Sequence, residues 1–357
     1  MMDLVERDVA DNRAPRRRLP GSTDVARLAG VSQKTVSRVF NDEPYVTAPV
    51  RERVLRAAQE LGYRPNGAAR ALTTGRTRCI GVVSLGSALY GPASTLVGVE
   101  RAARRIGYAV RVVNTMEGDV QGVTGALDSL LEQGVDGIVI SEPIDEGTGP
   151  LEIAVPVVVM GQLPGLVAPL VITVGGASDV PATAATQHLL SLGHETVHHV
   201  AGPQAWFSAR ERREGWQRAL RSAGRNGTCL EGDWSVASGY AAGQRLARDL
   251  DVTAVFAAND DMAIGVIHAL VEAGRPVPGE VSVVGFDDIP VAAYVNPPLT
   301  TVRQPFDETT DAALQALVHG IENPDGTADS RLDPTMELVV RRSSAPPRAR
   351  RRPEQRA

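Results

Sequence analysis

Residues 22–41 read STDVARLAGVSQKTVSRVFN. Ser22 and Thr23 supply hydroxyls that suit a helix start, and Val25, Ala26, Leu28 and Ala29 form one apolar face. Gly30 ends the run, because a residue without Cβ takes up the left-handed conformation that closes a helix. Only Val31 separates it from Ser32, the cap of a second helix that places Val36, Val39 and Phe40 at i, i+3 and i+4. Two helices joined through so short a Gly-containing turn cross steeply, which is the helix-turn-helix arrangement. A third run, TAPVRERVLRAAQELG (47–62), adds Val50, Val54, Ala57, Ala58 and Leu61 to the same small core and stops at Gly62. The expectation is a small all-α head over 21–64.

The second helix turns Gln33, Lys34, Ser37 and Arg38 outward. Lys34 is the only lysine among the 37 Lys and Arg residues of the chain. Like charges four apart, as Lys34 and Arg38 are, weaken an isolated helix by roughly 0.2–0.5 kcal/mol. A solvated polar face accounts for them alone, but these residue types also contact base edges and phosphates in a major groove. Charge distribution favours the second account. Residues 1–78 hold 15 basic and 9 acidic side chains, whereas residues 79–340 hold 15 and 32. A basic head on an acidic body points to an anionic partner for the head.

Residues 1–20 have early acids, no apolar core and an arginine triplet, and read as a disordered lead-in rather than an export signal. Residues 65–78 read as a linker. Its GAARAL run is too short to hold a helix in water. A plain linker accounts for the segment alone; the functional alternative is a linker that becomes helical only against DNA, with Leu72 as an apolar wedge between base steps.

From residue 79 the pattern changes to short apolar strands alternating with amphipathic helices, as in CIGVVS (79–84), DGIVIS (136–141), TAVFAA (253–258) and EVSVVGF (280–286). Such alternation means parallel α/β sheets, with ligands at the carboxyl ends of the strands. A body of this length suggests two lobes around a cleft. GVVSLGSALYG lacks the spacing of a dinucleotide fingerprint, and the chain has no Walker loop, no G-x-S-x-G elbow and no metal-type His/Cys cluster. His198 and His199 are adjacent on a strand, so they face opposite sides and read as packing residues. Cys79 and Cys229 match no metal or redox spacing. No apolar run is long enough for a membrane span. The expectation is a binding protein, not an enzyme, without cofactor or metal. Asn259, Asp287, Arg212 and Trp234 stand after strands, where paired polar groups and an aromatic face suit a neutral polyol.

TDVARLAGVSQKTVSRVFN, VRERVLRAAQELGYRPN and ARALTTGRTRCIGVV resemble the DNA-binding head, hinge helix and first core strand of the lac/galactose repressor family of bacterial transcription regulators. The resemblance extends from about residue 22 to about residue 340. It implies a helix-turn-helix head with a hinge helix, then a two-lobed periplasmic-binding-protein-like core. The first lobe would take about 79–174 plus 304–330, and the second about 175–303 plus 331–340. In the head the resemblance assigns base reading to Gln33, Lys34 and Arg38, and backbone or base contacts to Ser32, Ser37 and Asn41. Asn66, Ala69 and Leu72 fall in its hinge helix, on the minor groove of a palindromic operator.

AGPQAWFSARERREGW (201–216), EGDWSVASGY (231–240), AANDDMAIGVIHAL (257–270) and VGFDDIPVAAYVNPPLTTVRQPF (284–306) resemble the galactoside-responsive branch of that family. By that likeness Arg212, Trp234, Asn259, Asp287 and Gln304 line the effector site from one side, and Leu89, Tyr90 and Pro92 from the other. The chain departs from the branch at Gly161, where an Asp contacts sugar, at Tyr90, which replaces a His, and at Leu85, which replaces a small polar residue. The resemblance implies a homodimer on double-stranded operator DNA that a small sugar or glycoside, galactoside-like by preference, releases. Two alternatives are a ligand that acts as co-repressor and a non-regulatory sugar-binding protein. Beyond Val340 the sequence RRSSAPPRARRRPEQRA has no leucine heptads, so no tetramer-forming helix is expected, and 341–357 reads as a disordered Arg-rich tail.

Overall fold

The computed structural model describes residues 20–41, 43–64, 71–72, 74–85, 88–115, 122–141, 143–145, 150–175, 177–325 and 328–348. The chain divides into two units, Met1–Thr77 and Arg78–Ala357.

The first unit contains α1 (Ser22–Ala29), α2 (Gln33–Phe40) and α3 (Ala48–Leu61). Gly30 has φ 65°, and the amide of Val31 returns to the carbonyl of Ala26 at 3.0 Å, so the turn closes in two residues. Ser32 caps α2 by accepting the Thr35 amide at 3.1 Å. Val25, Ala26, Ala29, Val36, Val39, Val54, Ala57 and Ala58 form the core. The cap of α1 is Gly21 rather than Ser22 or Thr23; Asp24 accepts the Gly21 amide at 2.9 Å and holds the helix start. Leu28 is 47% exposed and Val50 half-buried, because each sits at the edge of its stripe. Tyr63 fills their place, edge-on to Phe40 at 5.5 Å. Ala71 and Leu72 occupy a helical turn in which Leu72 is 90% exposed. Asn66 and Ala69 lie outside the described residues.

The second unit is built on two six-stranded sheets. The first contains β1 (Cys79–Leu85), β2 (Ala109–Thr115), β3 (Gly137–Ser141), β5 (Val157–Met160), β7 (Val171–Val174) and β13 (Ser330–Leu332), in the order β13-β7-β5-β3-β1-β2. The second contains β8 (His198–Ala201), β9 (Cys229–Glu231), β10 (Ala254–Ala257), β11 (Ser282–Asp287), β12 (Thr300–Arg303) and β14 (Glu337–Val339), in the order β14-β12-β11-β10-β8-β9. A two-stranded pair, β4 (Leu151–Glu152) and β6 (Leu166–Val167), is separate. All pairings are parallel except β12 with β14.

Both sheet faces are covered by helices, so the central strands read as continuous apolar runs; every residue of β1 is buried. On the first sheet α4 (Tyr90–Arg105) and α10 (Phe306–Glu322) pack on one face and α5 (Gly122–Glu132) on the other. On the second, α6 (Asp179–Ser191) and α7 (Phe207–Ser222) oppose α8 (Val236–Ala247) and α9 (Asp260–Glu272). The chain crosses between sheets after β7, after β12 and after β13. The last crossing lies between Leu332 and Glu337, slightly later than the expected lobe boundary, because Ser330, Arg331 and Leu332 extend the first sheet beside β7.

His199 is fully buried, stacked between Trp216 and Phe256 with ring centroids at 5.3 and 4.9 Å, and burial pushes its pKa down to about 3. It is a packing residue, with Nδ1 on the Phe256 carbonyl at 2.8 Å. Residues 341–348, by contrast, are not a free tail. Arg341 reaches Asp288 at 2.6 Å, and the buried Ser343 hydroxyl accepts the Thr300 amide at 2.7 Å while donating to the Val283 carbonyl at 2.6 Å. The strand run satisfies its edge through these hydroxyls, so composition alone misread the segment. Residues 349–357 lie outside the described residues.

A cleft between the two lobes and an outward-facing helix

In the head, Lys34 and Gln33 are exposed on the first turn of α2. Gln33 donates to the Ser22 hydroxyl at 2.9 Å, Asn41 to the Ser37 hydroxyl at 3.4 Å, and Arg38 pairs with Glu43 at 3.2 Å. Val36 and Val39 of α2 are buried, whereas Ser32, Gln33, Lys34 and Ser37 are exposed and Arg38 is half-buried, with the exposed Asn41 at the helix end.

In the body, one cavity of about 340 Å³ is lined by Leu89, Tyr90 and Pro92 from the first lobe and by Arg212, Trp234, Asn259, Asp287 and Gln304 from the second lobe and its crossing. All eight expected positions are therefore brought together. Trp206 and Ser208 join them. The cavity has a chemical gradient. Leu89, Tyr90, Trp206 and Trp234 belong to one apolar cluster, with the two indoles edge to face at 5.8 Å. Beside them Arg212, whose guanidinium lies 5.5 Å from the centre of the Trp234 ring, sits 3.6 Å from Asp287, and Gln304 donates to the Asp287 carboxylate at 2.6 Å.

Local backbone aims these groups. Asp287 ends β11 with φ 114°, Asp288 follows with φ 55°, and Trp234 has φ 72°. Non-glycine residues in this region cost on the order of 1–3 kcal/mol each and concentrate at ligand sites. Arg212 rests its guanidinium on the Phe286 ring at 3.9 Å and donates to the Ala258 carbonyl at 2.6 Å. Burial drives the Asp287 pKa up to about 6, although Arg212 and Gln304 pull it the other way. Asp260, buried below, is also raised by burial and by Asp287; it accepts from Thr301 at 2.5 Å and from the Ile289 amide at 2.9 Å.

Asn259 plays a different part from the others. Its oxygen caps α9 through the Met262 amide and its amide holds the Trp234 carbonyl, both at 2.9 Å. It lines the cavity while positioning Trp234. At the sequence departures, Gly161 has φ 117°, a conformation that an aspartate side chain adopts only under strain. Leu85 is buried in the apolar cluster that also holds Ile144 and Trp206, where it joins the lobes.

A second chamber of about 610 Å³ shares Ser208, Arg212 and Gln304 with the first and continues to the crossings, past Met160, Gly161, Ser178 and Glu211. Glu211 escaped the sequence reading. Its signal was a charged residue in the buried row of α7 that also holds Gly215, Trp216 and Ala219. Burial raises its pKa; one oxygen accepts the Ser178 amide at 3.1 Å. Among the described residues no group of three metal-type side chains and no helix long and apolar enough to cross a membrane occurs.

This geometry has close counterparts. Residues 23–66 match the bacterial regulatory proteins of the lacI family, and residues 186–344 match a periplasmic binding protein-like domain. The chain is 36% identical to the ribose operon repressor of Escherichia coli K12 over 90% of its own length and 98% of the relative's. It is 33% identical to the HTH-type transcriptional repressor PurR of Photobacterium profundum, over 90% and 97%. A crystal structure of the lac repressor dimer bound to operator and the anti-inducer ONPF superposes with a TM-score of 0.77 at 30% identity, covering 92% of this chain and 100% of that one.

The chain belongs to the lacI family of bacterial regulatory proteins.

As a lacI-family protein it is a transcriptional repressor with a ligand-binding core, and not an enzyme. The α-helical head followed by parallel α/β sheets is the family's architecture.

Proposed function

We propose that this lacI-family repressor binds a palindromic operator as a homodimer and is released by a small neutral sugar or glycoside held in the cleft. Gln33, Lys34 and Arg38 read bases, Ser32, Ser37 and Asn41 hold the backbone or base edges, and Leu72, with Asn66 and Ala69, enters the minor groove. The observation that carries the ligand reading is the convergence of Arg212, Asp287 and Gln304 beneath Trp234. Arg212 and the Gln304 amide donate while the Asp287 carboxylate accepts, which is the pattern vicinal hydroxyls require. Trp234 offers a flat apolar face for a sugar ring.

We favour a galactoside-like glycoside over a free pentose. Leu89, Tyr90, Pro92 and Trp206 form an apolar wall opposite the polar base, and a glycoside has an aglycone to place there. The likeness to the ribose operon repressor favours the pentose instead, which keeps that reading in the test. The cleft is bounded by both lobes, so a ligand that prefers one lobe orientation shifts the equilibrium by its differential affinity. The first lobe continues from the hinge segment, and its shift separates the two hinge segments of the dimer. Arg212→Ala separates the functions: it should bind operator normally and no longer respond to the sugar that releases the wild type. Operator release of Arg212→Ala by that sugar at wild-type concentration contradicts the assignment.

A further inference from the structure

The guanidinium of Arg38, in the last turn of α2, pairs through Nε with the Glu43 carboxylate at 3.2 Å. Glu43 is tied to the helix end by its backbone. Its amide donates to the Arg38 carbonyl at 3.0 Å, and Arg51 of α3 donates to the Glu43 and Val39 carbonyls at 3.4 Å each. Main-chain contacts therefore place the carboxylate, and Arg38 meets it there.

Stability does not account for this carboxylate. The two side chains are 42% and 41% exposed, and exposed ion pairs add little to a fold. In a head that meets DNA, an acid at the end of the DNA-facing helix also opposes the phosphates and lowers affinity for every sequence. What it alters is the choice open to Arg38. A long, flexible guanidinium serves either as a phosphate contact, which carries no sequence information, or as a base reader. Glu43 takes the Nε edge of the fork, and the outer amino pair is an edge that matches O6 and N7 of guanine.

We propose that Glu43 is a positioning residue for operator specificity: it holds Arg38 as a base reader and withholds it from the phosphates. At a cognate guanine Arg38 keeps Glu43 and gains the base. A phosphate instead meets the Glu43 carboxylate as a like charge beside the same guanidinium. Discrimination is a difference between affinities, and a carboxylate that penalises the wrong contact widens that difference while lowering non-specific affinity. The inference rests on Arg38 reading bases, as proposed above.

The test is DNA binding by the full chain to the palindrome that wild type selects, to its single-base-pair variants and to a scrambled duplex, at about 50 and about 200 mM salt. Glu43→Gln keeps the shape and removes the charge. It should bind the scrambled duplex about tenfold more tightly, lower discrimination about tenfold at one position of each half-site, and leave preferences at the others unchanged. Its salt dependence on the scrambled duplex should steepen by about one phosphate contact per subunit. Glu52→Gln, which removes the same charge from an exposed pair with Arg56 on α3, should leave every base preference unchanged. In an Arg38→Ala background, Glu43→Gln should change no preference further. No effect of Glu43→Gln, equal effects on all duplexes, the same loss of discrimination from Glu52→Gln, or a loss that persists in the Arg38→Ala background overturns the role of Glu43. If wild type selects no palindrome, or Arg38→Ala leaves base preferences unchanged, the base-reading assignment of Arg38 itself falls, and the inference with it.

Discussion

Gln304 donates from its side-chain amide to the carboxylate of Asp287 at 2.6 Å. Gln304 stands on the crossing from β12 to α10, whereas Asp287 ends β11 at the base of the cavity. The bond therefore ties the crossing between the lobes to a carboxylate that lines the cavity. Asp287→Asn keeps the shape and removes the charge that Arg212 faces. We expect operator binding to persist and the sugar response to weaken at least tenfold, a loss of about 1.4 kcal/mol. DNA-release titration measures it, and an unchanged midpoint counts against the role of Asp287.

The same residue sets a pH dependence. Its folded pKa of about 6 lies above its ordinary value of 3.8. Protonation of the carboxylate removes an acceptor for ligand hydroxyls, so sugar affinity should fall as pH drops through about 6. Stability moves the other way. The unfolded carboxylate loses its proton first, so this group's contribution is full below pH 3.8 and is lost as pH rises toward about 6. Titration of sugar affinity between pH 5 and pH 7 tests the ligand effect, and Asp287→Asn should abolish the step.

His199 acts with opposite sign. Its folded pKa is depressed to about 3 from 6.5, so the unfolded chain takes up the proton first and stability falls as pH drops from about 6.5 to about 3. The slope from this group is at most about 1.4 kcal/mol per pH unit. His199→Phe, which keeps the stack with Trp216 and Phe256, should flatten that part of the denaturation profile. A profile as steep as wild type removes the claim.

The segment after β14 is structural. Ser343→Ala leaves the Thr300 amide and the Val283 carbonyl without their buried partner, at a cost of about 1–3 kcal/mol. Its melting temperature should drop by several degrees. Removal of 349–357 should leave the melting temperature unchanged, whereas removal of 341–357 should lower it. Equal melting temperatures for the two truncations would show that Arg341, Ser343 and Ser344 contribute nothing.

Much of this was legible in the sequence, for physical reasons. β1, β3, β10 and β11 are buried on both faces, so their apolar runs stand out, and a two-residue turn at Gly30 leaves α1 and α2 little freedom. Arg212 and Asp287 stood out as polar residues near strand ends, whereas Gln304 came only from the family resemblance. β14 and the segment after it did not. The strand has three residues, and Arg341, Ser343 and Ser344 read as tail because their partners, Asp288, Thr300 and His188, lie 43 to 156 positions away. Glu211 was hidden for a related reason. A helix carrying Arg210, Glu211, Arg212, Arg213 and Glu214 in succession does not say which charge faces inward; packing of α7 against α6 decides it.

The face of α2 makes a separate claim about specificity. Lys34→Ala removes the exposed side chain on the first turn, and should change which bases are preferred rather than weaken all sites alike. A lost base contact costs about 1–3 kcal/mol at its position. A uniform loss across all sequences would place Lys34 on the phosphates instead.

Selection from a library of palindromic duplexes, carried out with and without a panel of galactosides, glucosides and pentoses, tests the central claim most directly. The account predicts that the full chain enriches one palindrome at moderate salt and that one neutral sugar of the panel releases it. Enrichment of no palindrome, or enrichment that every sugar leaves unchanged, would contradict it.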